Sequence, residues 1–151
     1  MLHLNRRVAI EMMGVALAFS VRVKGNVPPK EHKEFYALNL NEGWQAVPGY
    51  PNGVDENILS GYLDETAKKG SLTRLLRFKP GVFTTAPSIH TYWEEVYVLS
   101  GDFIVGNDKD GNGGKRFQPN TYACRPPGIP HGPFKSETGC LLFEIRYFDC
   151  L

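Results

Sequence analysis

The residues with the clearest chemical potential are two histidines and a carboxylate. His90-Thr91-Tyr92-Trp93-Glu94-Glu95-Val96-Tyr97-Val98-Leu99-Ser100-Gly101 places an imidazole and a carboxylate four residues apart, then runs into an apolar stretch that ends at a glycine. Further along, Pro126-Pro127-Gly128-Ile129-Pro130-His131 delivers a second imidazole from a rigid turn. Two imidazoles and one carboxylate are a ligand set for a divalent transition metal. On extended backbone, residues 90, 92 and 94 point to one face. Pro126, Gly128 and Pro130 restrict the chain just before His131, which holds its ring in place without help from a ligand. Two adjacent carboxylates compete for the third position. Alternation groups Glu94 with Val96 and Val98, and Glu95 with Tyr97 and Leu99. Periodicity alone leaves open which face is interior.

Other possible ligands read more plainly as structure. His3 and His32 have no partner residues near them in sequence. Cys124 reads as a small buried apolar residue. Asp108-Lys109-Asp110-Gly111-Asn112-Gly113 imitates the start of a calcium loop, but Pro119 stands where such a loop needs its bidentate glutamate. That stretch reads as a hairpin connection.

The elements that must position these residues are strands. Phe35–Leu40, Ile58–Leu63, Leu72–Phe78, Val96–Leu99 continuing as Asp102–Gly106, Tyr122–Arg125 and Cys140–Phe148 read as strands. Trp44–Gly53, Asp64–Gly70 and Asn107–Gly114 read as loops and turns. Sixteen glycines, eleven prolines and no convincing interior helix point to an all-β sandwich or barrel. At 151 residues the chain is one domain with room for a sizeable core. The sequence divides into an extension over 1–26 and a barrel over 27–151. Within the extension, Val8–Phe19 is mostly apolar and superficially resembles a secretory signal, but it contains Glu11 and is too short to span a membrane. A packed or dimer-swapped terminal segment, or an extension foreign to the fold, is the preferred reading. Seventeen basic and sixteen acidic residues give a net charge of +1, so neither nucleic acid nor a membrane surface is expected as a partner. Cys124, Cys140 and Cys150 form no CxxC pair or disulfide framework, which places the protein in the reducing cytoplasm.

The two motifs resemble those of the cupins, over roughly Leu72 to Phe148. The first maps to Gly81, Ser88-Ile89-His90, Glu94 and Gly101. The six residues between Glu94 and Gly101 match the family spacing and select Glu94 over Glu95. The second maps to Asn120, Pro126-Pro127-Gly128, His131 and Lys135. Ser88 stands where the first histidine of the family belongs, Gly81 is one residue further away than usual, Asn120 replaces a glycine, and Lys135 replaces an asparagine. Size and the Trp93-Glu94-Glu95-Val96 pattern are most similar to the small cupins related to acetylacetone-cleaving dioxygenases and anti-sigma factors. The resemblance implies a double-stranded β-helix (a jelly-roll barrel), a homodimer, and a metal held by His90, Glu94 and His131. It implies a non-haem iron dioxygenase acting on a small diketone or related carbonyl compound, with Fe(II) as the metal. In such an enzyme Tyr92 and Arg125 are the candidates for orienting an anionic enolate. The alternative is a non-catalytic module, zinc-holding or metal-free, that senses a small molecule or a partner.

Overall fold

The structure is a computed structural model that describes residues 30–149. The expected extension over 1–26, with its apolar run, lies outside the described residues. Among these residues there is no helix, and nine strands follow in order: β1 (Gln45–Ala46), β2 (Val54–Asp64), β3 (Lys69–Phe78), β4 (Trp93–Gly101), β5 (Phe103–Val105), β6 (Lys115–Phe117), β7 (Tyr122–Arg125), β8 (Phe134–Lys135) and β9 (Cys140–Tyr147). Six of them form one sheet in the order β1-β2-β3-β9-β4-β7, and three form a second in the order β6-β5-β8. Every pairing of neighbouring strands is antiparallel.

The sheets close on an apolar core in which Leu76, Phe78, Val96, Val98 and Leu142 of the large sheet meet Phe103 and Phe134 of the small one. The Phe103 ring stands edge-on to Phe78 at 5.6 Å and stacks on Phe134 at 5.1 Å. Each such aromatic contact adds about 0.5–1.5 kcal/mol beyond area burial. The chain changes sheets between β4 and β5 at Gly101, whose φ is 79°. A Cβ there would come within 1.9 Å of the Gly139 carbonyl oxygen, so only glycine allows this approach.

Two sequence expectations are corrected. Phe35–Leu40 forms no strand; Phe35, Tyr36, Leu38 and Leu40 are exposed. Its alternation is weak and it has no partner strand within the described residues. The loop expected over Trp44–Gly53 contains β1, which pairs with β2 through Gln45↔Glu56 and Ala46↔Asp55. The Asn107–Gly114 connection does join the hairpin strands β5 and β6. There Asp108 Oδ1 accepts the backbone N–H groups of Asp110 and Asn112 at 2.9 and 2.8 Å.

Candidate metal centre

His90 and Tyr92 lie on the approach to β4, and Glu94 within it. All three are buried, so the same-side projection expected for 90, 92 and 94 holds. Register explains why Glu94 is the inner carboxylate. It pairs with Arg125 of β7 and Arg146 of β9, on the same side of the strand as the core residues Val96 and Val98. Glu95 faces outward, where its carboxylate accepts the hydroxyls of Tyr122 at 2.8 Å and Tyr147 at 2.9 Å. Cys124, opposite Glu95 on β7, is exposed and away from the site.

The Pro126–His131 turn is tied to the His90 segment by backbone alone. Gly128 N–H donates to the His90 carbonyl at 2.8 Å. Ser88 and His131 exchange both of their backbone hydrogen bonds, at 2.8 and 3.0 Å. The two sequence-distant imidazoles are thereby set in one frame, with ring centres 4.7 Å apart. Asn120, at the motif's glycine position, has φ 68°, a left-handed conformation that asparagine tolerates better than most residues.

Ligand atoms of His90, Glu94 and His131 lie within 4.8 Å of one another. His90 Nδ1 lies 2.7 Å from the Tyr92 carbonyl oxygen, and His131 Nδ1 lies 2.8 Å from that of Ile129. A carbonyl can only accept, so each Nδ1 carries a proton and each ring turns its Nε2 inward. This is the arrangement that metal-ligating histidines adopt. The two Nε2 atoms sit 3.7 and 3.5 Å from the Glu94 oxygens. His90 Nε2 is buried and has no hydrogen-bond partner. A buried acceptor without a partner costs about 1–3 kcal/mol, so a cation between these groups fits the donor set.

Burial pushes the Glu94 carboxyl up, but the adjacent His90 imidazole and the Arg146 and Arg125 guanidiniums outweigh it and hold the group at about 2. Burial pushes His131 below its ordinary value, which favours the neutral, ligating form. Desolvation raises the Tyr92 phenol well above its usual range. Its ring stacks on His90 at 4.2 Å and carries the Arg146 guanidinium at 5.1 Å.

Sequence reasoning missed the inner-face ion ladder. Glu56 of β2 binds Arg74 of β3, Arg74 Nε donates to Glu144 of β9 at 2.8 Å, and Glu144 binds Arg146. Arg146 reaches Glu94 at 3.5 Å, and Glu94 accepts Arg125 at 2.5 Å. Six alternating charges thus cross five strands and run through the carboxylate of the candidate metal triad to Arg125. Arg125 pairs its guanidinium with Glu94 and stands over Phe134; Arg74 and Arg146 are the guanidiniums that line the cavity. That cavity measures about 720 Å³ and is bounded by Tyr50, Glu56, Arg74, His90, Glu94 and Arg146, with Val47, Ile58 and Leu72 on an apolar side. Tyr50 gave no sequence signal beyond a loop position, yet its hydroxyl lies 3.4 Å from Ser88 Oγ at the cavity wall.

Two packed antiparallel sheets around a histidine–glutamate cluster define a cupin barrel. The chain belongs to the family of the ChrR cupin-like domain, whose match spans residues 32–146. Solved structures share the fold at low identity. KdgF from Halomonas sp. is 20% identical with a TM-score of 0.56, covering 78% of this chain and 96% of that one. An acetylacetone dioxygenase from Acinetobacter johnsonii is 16% identical with a TM-score of 0.55, covering 82% and 80%. A structure of Rhodobacter sphaeroides SigE in complex with the anti-sigma ChrR gives 21% identity and a TM-score of 0.51, covering 74% of this chain and 51% of that one. No curated protein sequence matches the chain. No helix among the described residues is long and apolar enough to cross a membrane.

Proposed function

We propose that the chain is a metal-dependent cupin enzyme, a non-haem iron dioxygenase acting on a small diketone or related carbonyl compound. The observation that carries this reading is the buried, partnerless His90 Nε2 facing Glu94 and His131 beside a cavity of about 720 Å³. Fe(II) held by two imidazoles and one carboxylate supplies a Lewis acid with open positions for substrate oxygens and O2. The chain's own residues do the rest. Arg125 and Arg146 keep Glu94 ionised and fixed. Arg146 and Tyr92, packed against each other, present a cation and a neutral phenol on the His90 side of the cavity, a pairing suited to orienting an enolate. The cavity's apolar side, with Val47, Ile58 and Leu72, excludes water from that end. The reading includes a homodimer in a reducing compartment, and Cys124 and Cys140 are free thiols in accord with it.

The test is metal content and oxygen uptake on protein purified without a metal-binding tag. About one iron per chain, and oxygen consumption with a panel of β-diketones, is the expected result. Full metal occupancy in His131→Ala sinks the site assignment. The ChrR family match favours a second reading, a non-catalytic module that holds zinc or no metal and senses a small molecule or partner. Zinc accepts the same ligands with water in the fourth place. Zinc in the protein with no oxygen uptake selects that reading.

A further inference from the structure

We propose a second ligand chamber beside the metal centre, lined by Tyr50, Pro51, Phe83, Thr85, Ala86 and Ser88, which receives the neutral apolar tail of a substrate whose paired oxygens sit at the metal. The proposal rests on the metal site described above. Next to the main cavity lies a groove of about 410 Å³. The two spaces have two lining residues in common, Tyr50 and Ser88. These residues form the partition, and it stands at the metal centre because Ser88 is paired through its backbone with His131.

The partition is weak. The Tyr50 and Ser88 hydroxyls are 3.4 Å apart, at the long limit for an O–H···O bond. Rotation about χ1 alone swings the Ser88 hydroxyl away from the Tyr50 ring. The linings of the two spaces differ in charge. The main cavity sets Glu56, Glu65, Arg74, Glu94 and Arg146 among apolar residues such as Val47, Ile58 and Leu72. The groove carries no carboxylate, guanidinium or ammonium, only Gly49, prolines, threonines, Ala86, Phe83 and the partition pair. Alkyl groups laid along the ion ladder would strip water from charges at a cost, whereas the groove presents a neutral wall. An oxygen-rich head at the triad and an alkyl tail past Ser88 therefore match the two chemistries.

The test uses the full-length protein loaded with zinc, which binds without turnover, and calorimetric titration with linear β-diketones lengthened at one end. Each pair of added methylenes should tighten binding about tenfold until the chamber is filled. Ala86 is exposed on the groove loop, so Ala86→Phe fills the chamber without entering the core. In Ala86→Phe the gain with chain length should vanish, while zinc content and affinity for the shortest diketone stay unchanged. Chain-length gain that persists in Ala86→Phe places the tail in the main cavity and overturns the proposal, as does affinity independent of length in the native protein. Failure to bind zinc overturns the reading of the metal centre along with it, and binding of zinc but no diketone overturns this chamber and the diketone substrate while leaving the metal centre standing.

Discussion

The two faces of β4 set the same residue type in opposite circumstances. Glu94 and Glu95 are adjacent, and each carboxylate receives two cross-strand partners. On the inner face the partners are the guanidiniums of Arg125 and Arg146, and the carboxylate is buried beside two imidazoles. On the outer face they are the hydroxyls of Tyr122 and Tyr147 at the surface. Water makes the difference. The inner carboxylate, cut off from solvent, needs cations to stay charged, and those cations extend it into a ladder reaching Glu56. The outer one is solvated and needs only modest company. A metal ligand can therefore be built on one face of a strand while its neighbour remains ordinary.

The sharpest way to break this comparison is to neutralise each carboxylate. Glu94→Gln should weaken metal binding by more than about a hundredfold, since it removes a direct ligand where even outer partners are worth up to about that much. Glu95→Gln should leave metal affinity within about twofold. Equal effects, read by competition with a chromophoric chelator, would place the site on the wrong face.

Next in size is the ladder. Arg74→Met strands Glu56 and Glu144 inside the barrel and should cost about 3–5 kcal/mol in denaturant unfolding. The outer-face counterpart, Tyr147→Phe, should cost no more than about 1.5 kcal/mol. Comparable losses would mean that burial does not separate the two faces energetically.

Ser88→His adds an imidazole beside the triad and should tighten metal binding about tenfold, or ~1.4 kcal/mol. Unchanged affinity in a metal titration would show that position 88 does not reach the ion. In the dioxygenase the same change should lower turnover by occupying an open position.

The smallest effect is in pH dependence, and its sign is opposite on the two faces. Glu94 is held below its ordinary 4.5, so its stabilisation is complete above that value and is lost as pH falls toward about 2. The hydrogen bond to Glu95 pushes the Tyr147 phenol up from 10.0 to about 12, so its contribution is present below pH 10 and lost as pH rises through 12. Glu95→Gln should lower the tyrosinate midpoint in an alkaline absorbance titration and leave the acid limb of stability alone. Glu94→Gln should do the reverse. A shift of both limbs by either change would erase the distinction.

The sequence by itself determined the all-β fold, the cupin motifs, the hairpin at Asn107–Gly114, and the choice of His90, Glu94 and His131 as the candidate ligands that the fold brings together. These are local signals: an alternating strand, a glycine required at a close approach, and a proline-rich turn that aims one imidazole. Tyr122–Arg125 was legible to the residue for the same reason. Of the strands of three residues or fewer, β5 was legible as the continuation of β4, whereas β1, β6 and β8 were not: two or three isolated residues carry no period, and pairing across the sheet alone makes them strands. Tertiary structure also decided that Arg125 serves Glu94, that Arg146 faces the cavity, and that Tyr50 meets Ser88. Each of these is a contact between residues far apart along the chain, as with Arg74 and Glu144, which are separated by 70 positions. Which charge neutralises which is set by cross-strand register, and register exists only once the sheet has closed.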